Sequence, residues 1–305
     1  MEYLGYQRFL PPRSRAAAVT EPESTWWHWR GRRVHVARAR REDAPVRLLA
    51  LHGAGGHAGL LWPLLGAAAG EGISVAALDF PLYGDTVEPR PRRVRYRDWV
   101  ELVCDFVRAE TADDDRPLVV FGASMGGLLG YEAAARTGRI AHVVATCLLD
   151  PADPEARRAA ARWDRLGALP AGPLGAAGAL TGGLRVPIRW LVDMANMSLD
   201  PALARHCATD PRGGGVRVPV GFLVDYLRFT HTAPESFTAA PVTLVHPAED
   251  RWTPPELSAR FLRRVAAPTR AVLLDGCGHF PVEEPGVTQL ADTLREIVDE
   301  VARTV

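Results

Sequence analysis

The 305-residue sequence predicts an α/β protein with a mostly parallel central sheet and helices on both faces. Short apolar runs alternate along the chain with stretches whose apolar residues recur at helical spacing. The apolar runs are continuous, as in strands that are buried on both faces. A third observation concerns residues 151–237, where this alternation stops. These residues therefore predict an insertion over one end of the sheet.

The elements follow in chain order. Residues 1–24 are rich in Pro and Arg and are predicted to be irregular, whereas residues 25–41 alternate around Gly31 and predict a β-hairpin, so the sheet should be mixed. Apolar runs predict strands at 46–51, 73–78, 118–121, 143–149, 242–245 and 271–274. Helical spacing predicts helices at 59–69, 99–107, 126–136 and 290–301.

The insertion at 151–237 is rich in Ala, Gly and Pro. Short helices are expected at 154–163, 187–197 and 220–229, and residues 166–184 are expected to be flexible. The chain thus divides into a core, formed by residues 1–150 and 238–305, and the inserted segment between them.

Composition excludes several classes of function. The 36 basic residues are all arginine and are balanced by 36 acidic residues, so the basic excess of a nucleic-acid-binding domain is missing. Without lysine, Schiff-base chemistry and a Walker A phosphate loop are excluded. The four cysteines lie far apart and form no C-x-x-C pair, which argues against a disulfide framework or a zinc site. No metal or cofactor is therefore predicted.

The termini and the hydropathy pattern predict a cytoplasmic protein. The N-terminus lacks a basic stretch followed by an apolar run, so no signal peptide is expected. No apolar stretch reaches the roughly 18 residues that a membrane span needs. The arginine-rich run at 90–97 is interpreted as a solvated face.

The motif G-A-S-M-G at residues 122–126 lies between a predicted strand and a predicted helix. This is the context that a G-x-S-x-G nucleophile elbow requires. The elbow exposes the hydroxyl of Ser124 on a sharp turn and aims the helix N-terminus at the reacting atoms. The alternative is a glycine-rich turn that contains an incidental serine.

A second glycine-rich motif, H-G-A-G-G at residues 52–56, follows an earlier strand. A serine hydrolase takes one oxyanion donor from such a loop and another from the residue after the nucleophile. The backbone N–H groups of Ala54 and Met125 are the predicted donors, although an ordinary tight turn would look the same. His52 is expected to brace the loop rather than to act as a base.

A nucleophilic serine also needs a histidine base and a carboxylate that orients it. His279 is the last histidine of the chain and follows the final predicted strand on a glycine-bounded loop. Asp250, after the preceding strand, is the favoured acid. Glu249, Asp150 and Asp153 remain alternatives, and each carboxylate could instead be a loop residue or a helix cap.

Taken together, these motifs resemble the α/β-hydrolase superfamily on its esterase and lipase side. The resemblance covers residues 46–150 and 241–305, and residues 79–86 are similar to the family's turn after the next strand. Two positions depart from the family pattern. Leu82 stands where the family often has glycine, and Pro247 replaces a common glycine before the acid. Both departures leave the local loop shape open.

The resemblance implies that residues 151–237 form a cap that shapes substrate choice. Several large side chains of this segment could line an apolar substrate site, or they could form the cap's own small core. The candidates for substrate binding are Trp190, Met194, Phe222 and Tyr226, with Trp163 and Met197 as further members of the apolar set.

The sequence therefore predicts acyl transfer from a small apolar ester to water through Ser124, Asp250 and His279. A thioesterase, an amidase, a C–C bond hydrolase or an acyltransferase would use the same residues. A ligand-binding or sensing protein with little turnover is an alternative of another class, because a fold alone does not settle function. The oligomeric state is left open.

Overall fold

The computed structural model describes residues 4–17, 21–70, 72–160 and 182–304. Its central sheet has eight strands, of which two pairs are antiparallel and the others parallel. The strands of the chain are β1 (Glu23–Trp29), β2 (Arg32–Ala39), β3 (Arg47–Leu51), β4 (Ser74–Leu78), β5 (Leu118–Gly122), β6 (His142–Ala145), β7 (Arg185–Pro187), β8 (Arg217–Pro219), β9 (Val242–Pro247) and β10 (Thr269–Leu274). The sheet order is β1-β2-β4-β3-β5-β6-β9-β10, which confirms the predicted mixed sheet.

Helices cover both faces of this sheet, as the apolar strands predicted. The helices within the described residues are α1 (Leu4–Gln7), α2 (Pro12–Ala17), α3 (Ala58–Gly70), α4 (Tyr96–Glu110), α5 (Met125–Thr137), α6 (Pro154–Ala160), α7 (Pro201–Thr209), α8 (Val220–Arg228), α9 (Pro255–Leu262) and α10 (Gly286–Thr304). Successive residues of β3 point to opposite faces, so Leu48 joins the buried cluster under α3 and α10, while Leu49 joins the cluster under α4 and α5. The two clusters are the two halves of the core.

The N-terminal region differs from the prediction. Residues 1–24 were expected to be irregular, but α1 and α2 fall within them, and β1 already begins at Glu23. The predicted hairpin is confirmed, with β1 and β2 paired in register around Arg30 and Gly31. Both turn residues have positive φ, which is the conformation of the tight turn that matches the twist of two antiparallel strands.

The insertion contributes no described strand to the eight-stranded sheet. The helix predicted at 187–197 is wrong: two 3₁₀ turns, Ile188–Trp190 and Met194–Asn196, follow β7, which pairs with β8 in a small separate ribbon. The prediction also missed α7, whose N-terminus is capped by the Asp200 carboxylate. Residues 161–181 lie outside the described residues. The flexibility expected at 166–184 and the predicted role of Trp163 therefore stay predictions.

Two further segments correct the sequence predictions. The strand predicted at 143–149 ends at Ala145, because the chain then leaves the sheet and the Leu148 N–H binds the Ser258 hydroxyl at 2.9 Å. The arginine-rich run at 90–97 is only partly a solvated face, since the Arg97 Nε donates to Asp225 of α8 at 2.9 Å. This pair ties the insertion to α4.

Across its described residues, the chain has no helix whose length and hydropathy would suit it to span a membrane.

Candidate active site

Ser124 occupies a strained turn between β5 and α5. Its φ of 53° is rare for a residue with a side chain. The residues two positions before and after it must be glycine, because a Cβ at Gly122 would lie 2.3 Å from the Gly126 carbonyl oxygen, and one at Gly126 would lie 2.2 Å from the Leu51 oxygen. The Ser124 N–H donates to the Thr146 hydroxyl at 2.9 Å, which helps to hold the turn.

The loop after β3 lies directly against this turn. A Cβ at Gly53 would come within 2.8 Å of the Ser124 Cβ and 3.1 Å of the Met125 nitrogen. Met125 is the first residue of α5, so its N–H has no carbonyl partner within the helix. The structure therefore places the predicted donors, Ala54 and Met125, beside Ser124, and all three residues line one cavity.

His52 braces this loop, as the sequence predicted. Its Nδ1 lies 2.8 Å from the Gly53 carbonyl oxygen, and the Phe80 N–H donates to its Nε2 at 3.1 Å. These contacts require a neutral ring with its proton on Nδ1. Burial lowers the pKa of His52 to about 4, so the ring keeps this form at neutral pH.

A second brace, which the sequence analysis missed, reaches the same loop from the insertion. The Gly59 N–H donates to the His57 Nδ1 at 3.1 Å, so the His57 Nε2 carries the proton that binds Asp210 at 2.9 Å. The Tyr6 hydroxyl donates to the same carboxylate at 2.5 Å. Burial alone would raise the pKa of Asp210, but the His57 ring and the Tyr6 hydroxyl hold it below its usual range.

The predicted base and acid form a buried pair. The His279 Nδ1 lies 2.7 Å from the Asp250 Oδ2. The Trp252 and Thr253 N–H groups both donate to the Asp250 Oδ1 at 2.9 Å, and the Thr253 hydroxyl donates to Oδ2 at 2.7 Å. Burial alone would raise the pKa of Asp250, but His279 and these donors lower it to about 2. Asp250 is therefore ionised and can hold the His279 proton on Nδ1.

The other nitrogen of His279 remains available. The Nε2 atom is buried and has no hydrogen-bond partner in the part of the chain that the structure describes. His279 and Ser124 both line one small cavity, so the two side chains belong to the same site. Contacts between nucleophile and base are often loose before substrate binds.

The alternative acids lie in other surroundings. Glu249 is exposed. The Asp150 carboxylate accepts the Ala152 N–H at 2.9 Å, and Asp153 pairs with Arg260 at 2.5 Å. Among the described contacts of these four carboxylates, that of Asp250 reaches His279.

Two cavities meet at Ser124. The small cavity, of about 30 Å³, lies on the His279 side and is also lined by Gly53, Thr146 and Phe280. The large cavity, of about 130 Å³, lies between the sheet and the insertion, and most of its walls are apolar. It is lined by Ala54, Ser124, Met125, Leu128, Cys147, Leu149, Arg157, Ile188, Leu191, Val192, Phe222, Leu223, Tyr226, Leu227, Trp252 and Thr253.

The predicted substrate-binding residues divide into two pairs. Phe222 and Tyr226 line the large cavity, as expected. Trp190 is 56% exposed, and Met194 is buried against Gly55, so neither lines this cavity. The reason is local: 3₁₀ turns replace the predicted helix here, and they bring Ile188, Leu191 and Val192 to the cavity instead.

The two departures from the family pattern, Leu82 and Pro247, lie at the ends of strand-to-loop connections away from Ser124. Leu82 has a φ of 88°, so it adopts the left-handed conformation that glycine usually supplies at such a position. Pro247 is the last residue of β9 and is buried. Neither residue lines the cavities around Ser124.

One group of side chains among the described residues has metal-ligand spacing: His35, Asp79 and Asp85. The Asp79 carboxylate already accepts hydrogen bonds from the Ala58 N–H at 2.7 Å and the Asp85 N–H at 2.9 Å, and it lies 2.7 Å from the His35 Nδ1. With these contacts made, the group serves as a brace for the loops after β3 and β4.

The sheet order and the strained serine define a class, the α/β hydrolases. The sequence model of the Alpha/beta hydrolase family matches residues 48–292, and the chain belongs to that family. Protein phosphatase methylesterase 1 from Homo sapiens is 30% identical over 110 residues, which are 35% of this chain and 28% of that protein. The match thus spans less than a third of that relative.

Solved structures share the fold over nearly the whole chain. A soluble variant of monoglyceride lipase from Saccharomyces cerevisiae, in complex with a substrate analogue, superposes with a TM-score of 0.72 at 16% identity, over 93% of this chain and 96% of that one. The monoacylglycerol lipase of Paleococcus ferrophilus gives 0.67 at 22% identity, over 89% and 99%. The fold is therefore lipase- and esterase-like.

Proposed function

We propose that this hydrolase cleaves a carboxylic ester through an acyl-enzyme on Ser124. The observation that carries the proposal is the buried His279–Asp250 pair: His279 lines a cavity together with Ser124, and its Nε2 atom has no hydrogen-bond partner among the described residues. A histidine held by an ionised carboxylate on one nitrogen can take a proton on the other.

The proposed reaction has two halves. His279 takes the Ser124 proton as the serine oxygen bonds to the ester carbon, and the N–H groups of Ala54 and Met125 hold the oxyanion. The alcohol then leaves with the proton from His279. In the second half, water gives a proton to His279 and attacks the acyl carbon. The acid departs, and Ser124 regains its proton.

The insertion is proposed to act as a cap over this site. Leu223 and Tyr226 of α8 and Ile188 and Leu191 of the 3₁₀ region form walls of the large cavity. An apolar enclosure beside the nucleophile suits the acyl or alcohol part of an ester. The core at 1–150 and 238–305 would then supply the reacting groups, and 151–237 would select the substrate.

The names of the relatives agree with ester chemistry, since one is a methylesterase and two are monoacylglycerol lipases. The same residues would serve a thioester or an amide. A binding protein with little turnover would keep the fold without an activated serine, and that outcome is separable by experiment.

The test is hydrolysis of p-nitrophenyl esters of increasing acyl length by the wild type and by Ser124→Ala. We expect Ser124→Ala to lose on the order of 10⁶-fold in kcat, as nucleophile removal does in other serine hydrolases. Short acyl chains should be preferred, because the large cavity has a volume of about 130 Å³. For comparison, an engineered cavity of about 150 Å³ holds one benzene molecule. Turnover that survives in Ser124→Ala, or a folded wild type that cleaves no ester, would contradict the proposal.

A further inference from the structure

The large cavity contains one charged side chain among the described residues that line it, that of Arg157 in α6. The remaining walls are mainly Leu, Ile, Val and aromatic side chains. Arginine stays protonated at every relevant pH, so this group carries a positive charge into an apolar space beside the proposed nucleophile.

The acids nearest to Arg157 in the chain are engaged elsewhere. Arg260 pairs with Asp153 at 2.5 Å and with Glu155 at 2.8 Å. The Arg157 Nε atom is buried and has no hydrogen-bond partner within the described part of the chain. Its neighbour Arg158 is exposed, as a surface arginine normally is. Arg157 therefore lines the cavity, whereas Arg158, the next residue of the same helix, faces solvent.

The Arg157 side chain is partly buried, and its buried Nε–H group has no partner among the described residues, which costs free energy that an anionic ligand would offset. Because the cavity also contains Ser124, the anion belongs to the molecule that reacts there. We propose that the substrate is an ester whose acyl part ends in a carboxylate that pairs with Arg157. This inference rests on the proposed function and names its substrate class.

Two features favour a carboxylate on a short apolar spacer. A guanidinium group binds a planar carboxylate through two parallel hydrogen bonds. Side chains such as Leu149 and Tyr226 line the same cavity as Ser124 and Arg157, so the spacer should be made of methylene groups. The volume of about 130 Å³ leaves room for only a few of them. Half-esters of short dicarboxylic acids fit this description.

The test compares two p-nitrophenyl esters of equal shape. One is the half-ester of glutaric acid, and the other is the ester of 5-methylhexanoic acid, in which an isopropyl group replaces the carboxylate. Rates are corrected with Ser124→Ala, because the half-ester also hydrolyses without enzyme. The wild type should favour the half-ester in kcat/KM, and Arg157→Leu should lower the ratio about 10- to 100-fold, which corresponds to one hydrogen-bonded charge pair.

Arg158→Leu is the matched control and should leave the ratio within twofold of the wild type. The proposal is overturned if Arg157→Leu leaves the ratio unchanged, including the case in which both esters lose rate equally. If Arg157→Leu does not fold, Arg157→Met replaces it, with thermal unfolding as the check.

A binding measurement separates this inference from the proposed function. Glutarate should bind the Ser124→Ala protein in calorimetry, and the Ser124→Ala/Arg157→Leu protein should bind it at least tenfold more weakly. Glutarate binding that depends on Arg157, without turnover of any ester, would contradict the esterase proposal and support the anion site. Ester turnover with neither a carboxylate preference nor glutarate binding would contradict the anion site and support the esterase proposal.

Discussion

At the scale of single residues, the site depends on how little space surrounds Ser124. Its backbone conformation costs about 1–3 kcal/mol and persists only where the surroundings fix it. A Cβ at Gly122 or Gly126 would collide with backbone atoms, and a Cβ at Gly53 would collide with the Cβ of Ser124. A methyl group at any of them would push the turn, the loop after β3 or β3 itself out of place.

The role of Asp250 is tested by Asp250→Asn. We expect kcat to fall about 10³- to 10⁴-fold with the fold intact, because an amide no longer fixes the His279 tautomer or stabilises its charge. Asp153→Asn is the matched control and should stay near wild-type activity, since Asp153 pairs with Arg260. The reverse pattern, measured by ester hydrolysis, would make Asp153 the acid.

At the residue level, the sequence could indicate candidates where a motif fixes local geometry, but not where only the tertiary structure does. The elbow motif and the glycine-bounded loop after the last strand pointed to Ser124 and His279, which line one cavity and whose catalytic roles are proposals. The contact between His57 and Asp210 joins residues that are 153 positions apart. No local pattern marks such a pair, and the same holds for Arg157.

At the scale of elements, the segment that follows α7 contacts the loop after β3, which is proposed to hold the oxyanion. Asp210 binds His57, and a Cβ at Gly213 would lie 2.6 Å from the Gly55 carbonyl oxygen. The Gly84 N–H also donates to the Arg212 carbonyl oxygen at 2.9 Å. The insertion is therefore bonded to the loops that follow β3 and β4.

Asp210→Asn tests whether this contact positions the loop. We expect kcat on a p-nitrophenyl ester to fall about 10-fold while KM changes little, because a loosened loop weakens oxyanion binding more than ground-state binding. The loss should be smaller than the roughly 10²- to 10³-fold that follows removal of a whole donor. Asp200→Asn, at the other end of α7, is the control, because Asn also caps a helix.

A rise in KM with an unchanged kcat would show that Asp210 serves substrate binding instead. Wild-type values for both constants would show that the loop holds its shape without the carboxylate.

Element prediction was accurate in the core and poor in the insertion. Buried strands and amphipathic helices impose a period on the sequence, whereas short 3₁₀ turns and three-residue strands do not. The stretch from β7 to Asn196 illustrates this, because its apolar residues mimic helical spacing. The bonds that fix it, such as Ile188 N–H to the Val216 oxygen, come from a distant segment.

At the scale of the whole molecule, buried histidines couple stability to pH. Burial lowers the pKa of His52 and of His231 to about 4 each, below the unfolded value of about 6.5. Their neutral forms therefore stabilise the fold above pH 6.5, and this contribution is lost as the pH falls from 6.5 to 4, where the unfolded chain binds more protons. For His52 the full contribution is about 3 kcal/mol.

His52→Gln should flatten this dependence. We expect the free energy of unfolding of the variant, measured in urea at several pH values, to fall less steeply between pH 6.5 and 4 than that of the wild type. His28→Gln removes an exposed histidine and should reproduce the wild-type slope. Equal slopes for all three proteins would show that His52 is not protected from protonation in the folded state.

The overall architecture was the most predictable property, because it depends on many residues at once. The alternation of Leu48 and Leu49 between two cores is repeated in each central strand. An error of a few residues, as at the end of β6, leaves that pattern intact. The family match over residues 48–292 agrees with this result.

The carboxylate of Asp210 limits how the inserted segment could be exchanged between members of the family to change substrate specificity. An insertion taken from another member of the family could be grafted onto this sheet only if it brought its own acceptor for His57 and Tyr6. Without that acceptor, the His57 Nε2–H and the Tyr6 hydroxyl would be buried without a hydrogen-bond partner under the grafted segment. The natural unit of exchange is therefore residues 151–237 together with the first helix and the loop after β3.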